Sequence, residues 1–142
     1  MALIPNAETL TLGTVAATDE VKNIPTRTYK INWAKKRAEG YTDDLAAMEQ
    51  AIYKIIHTER FVYLIYSWDY GTELNSLIGE SRAVAEAELE RIFAEALLAD
   101  TRVEKLADFT VSQSGRDALA VTFTVITIFG AIAVEREVKN SA

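Results

Sequence analysis

The run Ala118-Leu119-Ala120-Val121-Thr122-Phe123-Thr124-Val125-Ile126-Thr127-Ile128 decides the fold. Its period is two, as a half-buried strand requires, and the last third of the chain, to which it belongs, changes from a helical to an alternating period. Two more strand candidates flank it, at about Val103 to Ser112 and Ala131 to Val138, with Gly115 and Gly130 as punctuation. The connections Ser112-Gln113-Ser114-Gly115 and Phe129-Gly130 are short and favour hairpins, so the last third of the chain reads as an antiparallel meander that needs helices against one face.

Those helices lie upstream. Ser81 is a fair N-cap for a helix over about Arg82 to Ala99, because a serine hydroxyl can accept from the unsatisfied N–H groups of a first turn. Val84, Leu89, Ile92, Phe93, Ala96 and Leu97 supply its apolar face, and Glu86, Glu88, Glu90, Arg91 and Glu95 its wet one. An earlier helix, about 43 to 57, opens on Thr42, Asp43 and Asp44 and presents Leu45, Met48, Ile52, Ile55 and Ile56 at three- and four-residue steps. Thr72 to Ile78 reads as a short helix ended by Gly79.

Between the helices, Thr58 to Ser67 is β-branched and aromatic and predicts a short strand or extended crossing, followed by a turn at Trp68-Asp69-Tyr70-Gly71. From Arg27 onward Tyr29, Ile31 and Trp33 alternate with Lys30 and Asn32, a further strand, and Gly40 interrupts the charged stretch Lys35 to Glu39. The expected architecture is α+β: two main helices packed on a small, mostly antiparallel sheet ending in a C-terminal β-hairpin. Residues 1–26, with Pro5 and Pro25, read as an extended N-terminal arm, laid on a neighbour or left as a tail; residues 27–142 read as a single domain.

Composition narrows function by exclusion. A chain of 142 residues suits one domain with one core. Fifteen Lys and Arg against twenty-one Asp and Glu give a net charge of −6, a poor match to a phosphate backbone, so no nucleic acid is expected. No apolar run approaches the roughly 20 residues a bilayer demands, and the N-terminus lacks a basic region and a sustained apolar one, so neither a membrane partner nor secretion is expected. There is no cysteine and one histidine, His57, which reads as a helix-end side chain. A disulfide framework, a thiolate metal site and a paired-histidine metal site are thereby removed, and no metal or cofactor is expected.

A family resemblance rests on Ala51-Ile52-Tyr53-Lys54-Ile55-Ile56-His57-Thr58-Glu59-Arg60-Phe61, then Tyr70-Gly71, Glu73-Leu74 and Leu77-Ile78-Gly79. In this order of elements, from about residue 27 to 138, the chain resembles the baseplate wedge and sheath initiator family of contractile phage tails, often labelled lysozyme-like. That family has an apolar helix, a Gly-Glu-Arg or Thr-Glu-Arg junction, an aromatic-glycine turn, a second long helix and a Glu-Pro-Arg motif before a terminal hairpin. The branch it most resembles is found in prophages and phage-tail-like bacteriocins. Where the family has Glu-Pro-Arg this chain reads Asp100-Thr101-Arg102, keeping the acid and the arginine and losing the proline.

The resemblance implies a structural subunit without enzymatic activity, in the baseplate of a virion or tail-like particle assembled in the host bacterial cytoplasm. Its partners would be the tail sheath protein, baseplate wedge proteins and the tail tube or hub, in a hexameric arrangement. Glu59, Arg60, Asp100 and Arg102 are the expected wedge-docking residues, arginine being suited to bidentate carboxylate recognition. Ile132, Val134, Glu135, Arg136 and Val138 mark the expected sheath-binding edge strand, where a donated strand would add main-chain hydrogen bonds; the same charges also suit an ordinary protected edge. Tyr63, Tyr66, Trp68 and Tyr70 form an aromatic cluster suited to core or interface packing, or to a sugar groove. The sugar reading belongs to the alternative, a peptidoglycan-degrading glycoside hydrolase, for which Glu59 and Asp69 would be the carboxylates. No carboxylate is singled out by its sequence pattern as a buried general acid, and no phosphate loop or nucleophile elbow is present.

Overall fold

The computed structural model describes residues 25–139. Its centre is the strand β4, Ala118–Thr127, whose alternate residues Leu119, Val121, Phe123 and Val125 are all buried. Each such side chain contributes roughly 1.5–3 kcal/mol when removed from water. β4 is flanked on one side by β3, Val103–Gln113, and on the other by β5, Gly130–Lys139, in the antiparallel order β3-β4-β5. The three strands fall where the sequence places them, within two residues at every boundary. Thr127 closes the β4–β5 hairpin: its hydroxyl donates to the Gly130 carbonyl at 2.7 Å and accepts from the Phe129 N–H at 3.2 Å.

Two helices cover one face of this sheet. Helix α1, Asp44–Ile56, has Asp43 as its N-cap, bonded to the Asp44 N–H and to the hydroxyl of buried Thr26. Ala47, Met48, Ile52, Ile55 and Ile56 are its buried residues. Leu45, expected on that face, is instead 40% exposed and lies over the hairpin, where a Cβ on Gly130 would meet its Cδ1 at 3.4 Å. Helix α2, Arg82–Leu98, starts at the Ser81 cap and buries Ala85, Leu89, Ile92, Phe93, Ala96 and Leu97. Ala85 takes the inward place expected of Val84, which is exposed. Phe93 meets Phe109 of β3 and Phe123 of β4, with ring centroids at 6.3 and 5.2 Å, and this aromatic trio locks α2 to the sheet.

The class is α+β, but the strands form two sheets, not one. β1, Thr28–Asn32, pairs with β2, Arg37–Thr42, as a separate two-stranded ribbon. The charged stretch before Gly40 thus folds as a turn at Lys35 and Lys36 and a strand from Arg37, the carboxylate of Glu39 receiving Asn32, Lys35 and Arg37. Tyr29 and Tyr41 stack across the ribbon at 5.1 Å and Arg27 covers Tyr41, so the aromatic face is closed by its own cation and remains largely exposed. Gln50 of α1 anchors the ribbon by accepting the Ile31 N–H at 2.9 Å and donating to the Tyr29 carbonyl at 2.8 Å.

Thr58 to Ser67 is not a strand. Only one isolated parallel bridge, Glu59 to Thr72, joins this segment to its return. The Arg60 N–H donates to the Thr72 carbonyl and the Thr72 N–H to the Thr58 carbonyl, both at 2.9 Å, and they close the neck of a loop. Gly71 makes that neck possible: its φ is +100° and a Cβ there would lie 2.5 Å from the Thr58 carbonyl oxygen. High β-propensity does not by itself make a strand: the segment meets its return at a single bridge and no ladder forms. The short helix after it is a single 3-10 turn, Leu74–Leu77. The expected arm lies outside the described residues except for Pro25 and Thr26.

Candidate functional site

Among the described residues β5 is a free edge of the three-stranded sheet, and its backbone is regular. All ten of its residues pair with β4 in unbroken register, from Gly130 opposite Thr127 to Lys139 opposite Ala118. Ile132, Val134, Arg136 and Val138 point toward the helices, and Ala131, Ala133, Glu135, Glu137 and Lys139 away from them. Along the edge run two adjoining depressions of about 460 and 220 Å³, joined at Ile56 and His57. One wall is α1 and the segment after it; the other is every residue of β5 from Ile132 to Lys139. Because residues of both parities line it, the groove follows the strand's backbone edge and not one row of side chains.

Arg136 and His57, two of the groups lining that groove, are electrostatically unusual. Arg136 sits on the inward row, half-buried, with its Nε shielded from solvent and without a hydrogen-bond partner among the described residues. Burial lowers its pKa, since desolvation disfavours the charged form. His57 caps α1 across from it; its Nδ1 lies 2.8 Å from the Tyr53 carbonyl and its ring stacks on Tyr53 at 4.0 Å. Burial, and then the nearby Arg136 charge, pull His57 below the ordinary histidine value against the pull of the Tyr53 carbonyl.

The four docking residues expected from the resemblance lie in two internal braces. Glu59 accepts the Asn75 N–H at 3.1 Å and so caps the 3-10 turn; burial raises its pKa in spite of that bond. Arg60, with its side chain only 13% exposed, holds Nη1 at 3.8 Å from both Glu73 and Glu95. Asp100 and Arg102 form a two-pronged pair, Nε to Oδ1 at 3.0 Å and Nη2 to Oδ2 at 2.7 Å, and the Arg102 N–H adds a third bond at 2.9 Å. Burial opposes the Asp100 charge, but the Arg102 bonds outweigh it and hold the carboxyl below its usual range. The pair sets the turn from α2 into β3, where the Arg102 carbonyl accepts the Ile128 N–H at 3.0 Å. Thr101, in place of the family's proline, is exposed between them.

The aromatic cluster is on the loop above the Thr58–Thr72 neck. Tyr66 and Tyr70 stack at 4.3 Å, Tyr63 meets Tyr66 edge-on at 6.2 Å, and Trp68 meets Phe61 at 5.7 Å. Tyr70 rests on the core; Tyr63 and Trp68 face outward, joined by Phe61, Val62, Leu64 and Ile65, the last two almost wholly exposed. The sequence reading missed this apolar patch because it assigned the same residues to a strand; the unbroken, non-alternating run from Phe61 to Tyr66 was the signal available. Glu59 and Asp69, the carboxylates of the hydrolase alternative, line different depressions. Among the described residues no helix is long and apolar enough to cross a membrane.

Residues 11–130 match the family of contractile injection system sheath initiators, a match that ends at Gly130, the first residue of β5. Over 113 residues the chain is 34% identical to the phage-like element PBSX protein XkdS of Bacillus subtilis (strain 168), covering 77% of this chain and 79% of that protein. A bulge-free free edge flanked by a groove thus occurs in a chain that belongs to the contractile injection system sheath initiators, structural components of phage-tail machinery.

Proposed function

We propose that this protein sits in the baseplate of a contractile tail or tail-like particle and starts the sheath by accepting a strand from the first sheath subunit along the edge of β5. The observation that carries the reading is the uninterrupted β5 edge with a groove along it from Ile132 to Lys139, in a chain of the sheath initiator family. An added strand would pair with N–H and C=O groups that β4 leaves free and lay alternate side chains into the groove. Ile132, Val134, Arg136 and Val138 would meet those side chains, and Glu135 would face outward.

The opposite task, holding to the wedge, falls to the loop between Glu59 and Thr72. Its exposed apolar residues, with Tyr63 and Trp68, suit a partner that covers them. The Glu59–Arg60 and Asp100–Arg102 braces fix the loop's neck and the α2–β3 turn, through which Arg60 and Arg102 contribute to docking. Wedge proteins and the tail tube or hub are the neighbours of this face, in a hexameric arrangement completed as the particle assembles in the host cytoplasm.

Consecutive N–H groups of a strand point to opposite sides, so of Val134 and Glu135 one donates to β4 and the other faces the free edge. Proline at the edge-facing position removes only the donor that a sheath strand would use. Particles carrying that variant, viewed by electron microscopy, should show baseplates and tubes without sheath, while the purified protein melts close to the parent temperature. Normal sheaths on those particles would overturn the reading.

A further inference from the structure

We infer that the strand accepted by β5 carries a carboxylate, Asp or Glu, at the position facing Arg136, with apolar residues two places to either side. The inference rests on the augmentation reading above and adds to it the chemistry of the partner. Adjacent strands lie about 4.8 Å apart, and cross-strand Cβ atoms on one face about 4.5–5.5 Å apart. An inward side chain opposite Arg136 therefore falls within hydrogen-bonding reach of its guanidinium.

Among the described residues Arg136 lacks an acid. The other arginine with a shielded Nε, Arg60, has Glu73 and Glu95 at 3.8 Å. Arg136 makes no ion pair among the described residues, and Tyr53 is its only electrostatic neighbour of consequence besides His57. Glu59 lines the same groove but its carboxylate is turned to the backbone of the 3-10 turn. A half-buried guanidinium left without its planar partner is costly, and a fork of this kind matches a carboxylate in two parallel bonds. On the same inward row Val134 and Val138 flank Arg136, which calls for apolar residues two positions before and after the acid.

The test uses the full chain, isotopically labelled, and two synthetic ten-residue strand peptides of alternating Val and Thr with lysine ends, differing only in a central inward Glu or Gln. Amide shifts of β5 measured by NMR report binding. The Glu peptide should bind about tenfold more tightly than the Gln peptide, and the preference should vanish in Arg136→Gln, which retains the fold because it removes an unpaired charge. Equal binding of both peptides by the parent protein would overturn the acid requirement and leave augmentation standing; so would a Glu preference that persists in Arg136→Gln. If neither peptide shifts the β5 amides, the augmentation reading falls and the inference falls with it.

Discussion

The two edges of the C-terminal sheet differ in kind. β3 breaks register with β4 twice, between Val103 and Lys105 and between Ala107 and Thr110. At the second break Asp108 adopts φ +54°, a left-handed conformation that aspartate tolerates better than most residues. β5 keeps ten consecutive pairs without a break. A bulge twists an edge away and disrupts the row of donors and acceptors that another chain could use. One edge of this sheet is thus closed to further strands by backbone geometry, and the other remains open. Of the charges on β5, Glu135 and Glu137 are exposed on the row away from the helices and Arg136 is half-buried on the inward row.

Three measurements test whether the two edges differ in this way. The largest effect is expected where both edges depend on one strand: Phe123→Ala removes the ring that meets Phe93 at 5.2 Å and Phe109 at 5.5 Å. It should cost about 3–5 kcal/mol in denaturant unfolding, with amide protection lost on β3 and β5 together; a loss confined to one strand would mean that the edges are not supported by a shared core.

Deleting Asp108 removes one bulge and leaves Phe109 opposite Phe123. If bulges are what closes the β3 edge, the shortened protein should self-associate in sedimentation runs as its concentration rises, more strongly than the parent at the same concentrations. A strictly monomeric deletion variant that remains folded would assign the protection to something else.

The smallest effect is electrostatic and local to the open edge. His57 is the only histidine in the chain, so its titration is read without ambiguity by NMR. Burial, then the Arg136 charge, place its pKa below the usual value of about 6.5. Arg136→Gln removes the second cause and should raise the His57 pKa, with burial still keeping it depressed. The linkage follows in sign: with a folded pKa below the unfolded one, the His57 contribution to stability is whole above about pH 6.5 and declines as the pH falls through the window beneath it. That decline should be shallower in Arg136→Gln. An unchanged His57 titration would place the guanidinium too far away to guard the groove.

Much of the architecture was legible in the chain because it is written in local periodicity. The Ser81 cap, the helical stripe of Leu89, Ile92, Phe93 and Ala96, and the alternation through β4 each specify an element by themselves. The segment 58–67 was misread for the complementary reason. Its β-branched and aromatic residues favour a strand, yet a strand exists only where the fold brings a partner alongside, and this segment meets its return at one bridge alone. β2 was missed because its charges, Arg37 and Glu39, look like a wet connection until Asn32 and Lys35 are brought against them.

The candidate site divides in the same way. The edge strand and its inward row, Ile132, Val134, Arg136 and Val138, were visible as an alternating terminal segment, and the cysteine-free, acidic composition with one histidine already narrowed the chemistry on offer. Tertiary structure alone decided that among the described residues β5 is the regular, open edge and β3 the bulged one, that α1 walls a groove along β5, and that Arg136 lies in that groove without an acid from those residues while Arg60 and Arg102 have theirs. Periodicity records which side of an element meets the core. It does not record which residues from distant parts of the chain stand beside that element, and the pairing of charges and of strand edges depends on those neighbours.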